Sequence, residues 1–547
     1  MSGTRLSGVG VSPGRASGPV VRVAEPLPEP PATPAPADQA AEAARIRPAA
    51  ELVAERLRER AAAADGEARA VLETTAAMAA DPALIAQSEQ LVAARALPAA
   101  RAVHEAAAGF ATALEAAGGY LAERVRDVHD VRDRLVAELL GLTPPGVPEL
   151  TGPSVLVARD LAPADTAGLD PAKVLALVTE EGGPTSHTAI LARALGIPAV
   201  VACRGLLALD AVDGLVVDGE AGTVEVVAGP VAVLAATAGD EPTWSGEGRT
   251  SDGRRVKLLA NVGSAEDAAA GAAAGAEGVG LFRTEFCYLS ATAEPSVAAQ
   301  RVAYAEVLAP FAGRPVVVRT LDAGADKPLA FLNTEVEPNP ALGVRGLRLS
   351  RAAVGVLDRQ LEAVAAAAED SGADVSVMAP MVSTAEEAAW FADRARAAGV
   401  ARVGVMIEVP AAALSAREVL AAVDFVSLGT NDLAQYVFAA DRQVGGVAEL
   451  NDPWQPALLR LVALVGAAAT ELGRPMGVCG EAAADPALAC VLVGLGATSL
   501  SMNAAALPRV GARLAATSLD QCQDAARAAT AAGDRGTART AVRAVLG

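Results

Sequence analysis

The sequence predicts a multidomain α/β protein: a mixed α/β domain with a helical bundle inserted in it, followed by a C-terminal (β/α)8 TIM barrel. Three observations predict this. The chain has 547 residues, enough for three or four cores at roughly 150 residues each. Residues 37–141 are rich in Ala, Glu, Arg and Leu, with apolar positions at helical spacing. From residue 256 onward, short apolar runs alternate with helix-like stretches in eight units over about 290 residues, the number and size of a (β/α)8 barrel.

The elements follow in order. Residues 6–23, LSGVGVSPGRASGPVVRV, join β-branched runs to Gly and Pro turn signals and read as one or two strands. Two strands do not stand alone in water, so these are expected to join a later sheet. The Pro-rich stretch 26–36 leads into the helical segment, which breaks at Asp81-Pro82, Pro98 and Gly118-Gly119 and so reads as four or so helices. Leu121, Val125, Val128, Val131, Leu135 and Leu139 trace the apolar face of the last one. After Pro144-Pro145 come SVLVA (154–158), VLALV (174–178), PAVVA (198–202), LVVDG and TVEVVAG (215–229), all read as strands.

Residues 1–33 and 142–228 are therefore expected to form one domain, with 34–141 as its helical insert. Residues 229–255, rich in Gly, Pro, Thr, Ser and charge, read as a linker, and 256–547 as the barrel. Barrel strand candidates begin near 256, 278, 315, 376, 402, 423, 475 and 498.

Composition narrows the functional classes. The 45 Lys+Arg against 65 Asp+Glu leave a net charge of −20 with no basic block, which disfavours nucleic acid as a partner. Alanine inflates the 52% hydrophobic content, and no apolar run approaches the ~20 residues of a membrane span. The stretch Met1 to Pro13 lacks a signal peptide's apolar core. The five scattered cysteines show no paired or metal-ligand spacing, so a cytoplasmic, reduced chain without disulfides or zinc is expected.

The chain has only three histidines: His104, His129 and His187. The first two lie in helical Ala/Arg/Asp sequence and read as non-catalytic. His187 follows Gly182-Gly183-Pro184-Thr185-Ser186 and opens an apolar helix, where unsatisfied backbone N–H groups favour an anion. A neutral imidazole there is a nucleophile toward phosphorus, with Thr185 and Ser186 hydroxyls ready to hold the phosphate it acquires.

The apolar runs of the barrel end repeatedly in polar residues: Asn261, Arg283 and Glu285, Arg319 and Asp322, Glu408, Asn431 and Asp432, Cys479 and Glu481. On a barrel these ends form the catalytic face, although single polar residues also merely terminate strands. Arg283, Arg319, Arg345 and Arg442 offer planar forks for a small, multiply anionic ligand. Glu408 and Asp432 supply hard oxygen ligands for Mg2+. A pair of acids also serves glycoside hydrolysis, but sugars carry no charge for four arginines to neutralise. Lys327, in RTLDAGADK, is placed near the same face. Cys479 reads either as a small core residue or as a proton donor, since an ordinary thiol holds its proton at neutral pH.

Together the motifs resemble enzyme I of the phosphoenolpyruvate-dependent sugar phosphotransferase system. They run in the family's order: SPGRASGPV, YLAERVRDVHDVRDRLVAELLG, GGPTSHTAILAR, GLFRTEFCYL, RTLDAGADKPL, NPALGVRGLRL, MIEVPAAAL, SLGTNDLAQYVFAADR and VCGEAAADP. The resemblance implies that the barrel binds phosphoenolpyruvate and Mg2+, and that His187 takes the phosphoryl group on Nε2. It then passes the group to a histidine of the carrier protein HPr, docked on the helical insert. By position, Arg283, Arg319, Asn431 and Arg442 match the family's phosphoenolpyruvate contacts, Arg345 a further contact, and Glu408 and Asp432 its metal ligands. Cys479 matches the proton donor to the enolate carbon, and Thr166 the threonine that holds the resting histidine. The barrel is also the family's dimerisation domain, so a homodimer is implied.

Three positions depart from the family pattern: Pro184 stands where Arg is common, Ala77-Met78 where many relatives carry His, and DPWQPALLR lacks the usual His before its second Pro. Two rival readings are weighed. A pyruvate-phosphate or pyruvate-water dikinase shares the histidine domain and barrel, but only about 180 residues precede His187, too few for an added ATP-binding domain of usual size. A catalytically weak signalling phosphoprotein is disfavoured by the intact arginines, metal ligands and Cys479.

Overall fold

The computed structural model describes the chain apart from residues 1–3, 13, 24–26, 63–65, 118–124, 143–145, 149, 151, 162–168, 171, 184–185, 210–211, 230, 235–243, 245, 289–290, 292, 326–328, 330, 333–336 and 443. Two compact units emerge, Met1–Thr237 with Gln443–Glu449, and Ala238–Arg442 with Leu450–Gly547.

The first unit contains an eight-stranded mixed sheet: β1 (Arg5–Ser7), β2 (Val9–Ser12), β3 (Arg15–Arg22), β4 (Ser154–Ala158), β5 (Val174–Thr179), β6 (Ala199–Val201), β7 (Gly214–Asp218) and β8 (Thr223–Val227). Their order is β1-β8-β7-β3-β4-β5-β6-β2. The three N-terminal strands do join the later sheet, as expected of strands that cannot stand alone. β3 pairs parallel with β4 through Val20↔Val155 and antiparallel with β7. The run of buried Val and Leu in β4 and β5 is the composition of a sheet covered on both faces.

The helical segment interrupts the chain between the neighbouring strands β3 and β4. Six helices are described there: Gln39–Ala43, Ile46–Ala62, Gly66–Ala79, Pro82–Arg95, Ala99–Ala117 and Val125–Leu140. The break at Asp81-Pro82 follows from local chemistry. The Asp81 carboxylate caps the Ala83 N–H at 2.7 Å, and Pro82 takes the first helical position, where its missing N–H costs nothing. The stretch before Asp81, expected as one helix, is three among the described residues, the first ending near Ala44 with no Gly or Pro there, so six are described where four or so were expected. Val128, Val131, Leu135 and Leu139 of the last helix are buried, with Val53, Leu57, Leu72 and Ile85 opposite. The expected break at Gly118-Gly119, and Leu121, lie outside the described residues.

In the second unit eight parallel strands close a barrel: β9 (Lys257–Val262), β10 (Val279–Arg283), β11 (Pro315–Arg319), β12 (Asp374–Ala379), β13 (Val403–Ile407), β14 (Phe425–Leu428), β15 (Met476–Val478) and β16 (Ser499–Met502). Closure comes from β16 pairing with β9 in the register Leu500↔Leu258. Between strands and outer helices lies a core that includes Leu258, Phe282, Val318, Leu361 and Phe391, each worth about 1.5–3 kcal/mol on burial. A smaller apolar layer of Leu281, Met378, Met406, Phe425 and Cys479 fills the barrel's interior. One segment, Gly446–Leu472, has the length and apolarity of a membrane-crossing helix. Its Leu458, Leu459, Val462 and Val465 are buried in the barrel's core.

Candidate active site

At the C-terminal ends of the barrel strands, charged side chains converge on a buried core of ion pairs. Asp322, fully buried, lies just past β11. It accepts from Arg345 Nη2 at 3.1 and 2.9 Å and pairs with Arg319 Nη1 at 3.2 Å. Arg345 is itself 1% exposed and reaches on to Asp432 Oδ1 at 3.3 Å. Asp432 Oδ2 accepts from Arg442 at 3.3 Å, and Arg319 pairs with Glu285. Burial opposes the Arg319 charge, but Glu285, Asp322, Glu408 and Asp432 outweigh it and hold the guanidinium above its ordinary pKa.

The backbone puts each group there for a local reason. Asp432 stands in the first turn of the helix Thr430–Phe438, where the positive end of the helix dipole favours a carboxylate. Glu408 follows β13, and its Oε1 accepts the Met381 N–H at 2.7 Å. Met381 holds φ at +58°, so a non-glycine residue takes a left-handed turn that aims this N–H at the carboxylate. Burial, then Asp432 and Asp322, pushes the Glu408 carboxyl up to about 7, against the pull of Arg319 and Arg345. Asn431 Oδ1 accepts the Glu481 N–H at 3.1 Å, which commits its carbonyl rather than its amide group.

Arg283, at the end of β10, stacks on Phe286 with its guanidinium carbon 4.6 Å from the ring centroid. Burial and neighbouring Arg319 lower its pKa, partly offset by Glu285 and Asp267. Its Nε, Arg319 Nε and Glu285 Oε2 are buried with no hydrogen-bond partner among the described residues. Orphaned donors on two adjacent arginines are what an anion-binding cleft offers before its ligand arrives. Cys479 stands at the top of the interior apolar layer, its thiol donating to the Leu428 carbonyl at 3.5 Å. Burial first, and Glu408 next, push this thiol up to about 11, so it keeps its proton at neutral pH.

Thus Arg283, Arg319, Asp322, Arg345, Glu408, Asn431, Asp432, Arg442 and Cys479 all lie on one face of the second unit. No group of three or more His, Cys, Asp or Glu side chains suited to a metal occurs among the described residues. Glu408 and Asp432 provide two mutually repelling carboxylates, and a pair suits Mg2+, which keeps waters and substrate oxygens as its other ligands. Lys327 lies outside the described residues.

In the first unit, helix His187–Leu195 begins at the histidine, and Ser186 is its N-cap, accepting the Ala189 N–H at 3.3 Å. The Ser186 oxygen therefore serves the helix terminus. Gly182 has φ +93°, a turn that favours glycine ahead of this helix. Thr188 donates to Asp160 Oδ1 at 3.3 Å. The His187 imidazole, Pro184, Thr185 and Thr166 lie outside what the structure describes. Sequence reasoning missed Asp160, although it ends the SVLVARD run as other site residues end theirs. It named Glu285 as a strand end without a role, and passed over Tyr436, whose hydroxyl lies 3.4 Å from Arg345 Nη1.

Comparison with known proteins bears on the whole chain. The family described as PEP-utilising enzyme, PEP-binding domain, matches residues 244–519. The PEP-utilising enzyme mobile domain matches 150–222, and the PEP-utilising enzyme N-terminal family 7–124. The chain is similar to a phosphoenolpyruvate-protein phosphotransferase of Streptomyces coelicolor, 55% identical over 99% of both chains. Proteins of the same name from Haloferax volcanii and Enterococcus faecalis are 42% and 37% identical, over 78% and 86% of this chain and 78% and 87% of theirs. A barrel with a buried arginine-carboxylate cluster, three matched domains and near-full-length relatives lead to one conclusion: the chain belongs to the phosphoenolpyruvate-protein phosphotransferase family of PEP-utilising enzymes.

Proposed function

We propose that the chain transfers the phosphoryl group of phosphoenolpyruvate to its own His187 and then to a histidine of HPr, releasing pyruvate as the first step of sugar uptake. The observation that carries this reading is the balanced cluster at the barrel mouth. Arg283, Arg319, Arg345 and Arg442 face Glu285, Asp322, Glu408 and Asp432. Because these charges balance, a phosphate-bearing anion is best accommodated together with a cation, and Glu408 and Asp432 would hold it. Bound Mg2+ would neutralise charge on the phosphoryl and carboxylate oxygens.

Arg283 and Arg319 would hold the phosphoryl group, with Arg345, Arg442 and the Asn431 amide completing the grip on the substrate. His187 Nε2 attacks phosphorus, an N–P bond forms and the P–O bond to the enolate breaks. The enolate carbon then takes the Cys479 proton to give pyruvate, and water restores the thiol. A thiol raised to about 11 fits a donor that must stay protonated until the enolate appears. His187 and the arginines belong to different units, so transfer requires the two to meet, with residues 229–255 as the connection and Thr166, Thr185, Ser186 and Lys327 in supporting roles. HPr would dock on the acidic insert, where residues 34–141 carry 12 Arg and 17 Asp+Glu. By likeness to the family, a cytoplasmic homodimer forms through the barrel.

Phosphoenolpyruvate labelled in its phosphoryl group, with Mg2+, is expected to label the wild type and not His187→Ala, and the label to pass to added HPr. An unlabelled wild type, or a labelled His187→Ala, overturns the reading.

A further inference from the structure

The strand ends that carry Arg283 and Arg319 are an unstable arrangement on their own. The two arginines are direct partners across the β10–β11 ladder, so like charges sit opposite each other. The ladder beneath them is irregular: Val279 pairs with Val316 and Phe282 with Val318, so β10 carries one extra residue there. Above this bulge only two pairs, Phe282↔Val318 and Arg283↔Arg319, hold the strand ends in register.

A buried side-chain clamp spans this weak point. Gln360, 1% exposed on the helix Val354–Ser371, accepts the Leu321 N–H on its Oε1 at 3.0 Å. Its Nε2 donates to Thr284 Oγ1 at 3.0 Å and to the Tyr304 hydroxyl at 3.1 Å. Thr284, fully buried, donates its own hydroxyl to the Arg319 carbonyl at 2.8 Å. Thr284 follows Arg283 in the chain and Leu321 precedes Asp322, so one amide and one hydroxyl join both strand ends. Tyr304 anchors the clamp from behind. It packs edge-on against Phe282 at 5.9 Å and shares a buried network with Tyr288 and Gln300. Gln360 uses both N–H groups as donors and its oxygen as acceptor, so the clamp is satisfied in one arrangement.

We propose that Gln360 and Thr284 are positioning residues for phosphoenolpyruvate, setting the spacing and direction of the Arg283 and Arg319 guanidiniums through the strand ends that carry them. This rests on the reading above that those arginines grip the substrate. Thr284→Val keeps the side-chain shape and removes the hydroxyl, whereas Thr284→Ser keeps the hydroxyl. In the phosphoenolpyruvate labelling assay, Thr284→Val is expected to lower kcat/KM about tenfold or more, mainly through KM, in a protein that still folds but melts a few degrees lower, since a Gln360 N–H and the Arg319 carbonyl lose their partner. Thr284→Ser is expected to stay within about threefold of wild type. If Thr284→Val does not fold, Gln360→Glu removes the amide donor at similar volume and is read the same way. Wild-type kcat/KM in the folded member of this pair, or equal loss in Thr284→Ser and Thr284→Val, overturns the proposal. An unlabelled wild type instead overturns the functional reading, so the two failures are told apart.

Discussion

At the scale of single residues, the site is shaped by how much charge it buries. Arg345 and Asp322 are almost wholly removed from water, and each is tolerable only because the other, with Arg319 and Asp432, surrounds it. Cys479 shows the same control by environment. Only the thiolate is alkylated, and burial raises this thiol's pKa to about 11. At pH 7.5 the reactive fraction is then about three hundredfold below that of an ordinary exposed cysteine. Iodoacetamide adducts at Cys479, followed by mass spectrometry, should be scarce at pH 7.5 and rise about tenfold per pH unit toward 11. A rate that levels off near pH 8.5 would mean that the thiol is not buried in this way. The sequence alone left Cys479 open between core residue and proton donor. In the structure it is part of the interior apolar layer and also lies near Glu408.

At the scale of elements, strand ends and the turns after them place the chemistry. Gly429 links β14 to the helix bearing Asn431 and Asp432. A Cβ added there would come within 2.7 Å of Glu408 Oε2 and 3.0 Å of Met406 Sδ. Its φ of −88° is ordinary, so space and not backbone freedom requires glycine. Gly429→Ala should cost about 1–3 kcal/mol in urea unfolding through overpacking. It should also weaken phosphoenolpyruvate-dependent labelling, because Glu408 must move; unchanged labelling would show that the carboxylate's position is unimportant. Barrel strands were legible as elements because β-branched runs ending in polar residues are a local signal. The extra helices of the insert were not. Beside the turn near Ala44, Glu42 Oε1 accepts the Ala99 N–H at 2.8 Å from 57 residues away, a contact no local pattern encodes.

For the molecule as a whole, the proposed reading divides the chemistry between two units. Residues 229–255 connect them in the proposed reading, of which 230, 235–243 and 245 lie outside the described residues. Limited proteolysis should cut the native protein first within 229–255 and leave two resistant fragments. Cleavage spread evenly over the chain would argue against a free connection.

The sequence by itself determined the order of the motifs, the helical and strand periodicities and the residue types at each strand end. These are properties of short stretches, where side-chain spacing and capping chemistry act over a few residues. Only the tertiary structure decided which groups meet. Arg345 reaches Asp432 across 87 residues, and Gln360 reaches Thr284 across 76. Nothing in the local pattern around Gln360 sets it apart from a solvent-facing helical glutamine. Its role exists only because barrel closure buries it behind two strand ends, where an amide without partners would be costly.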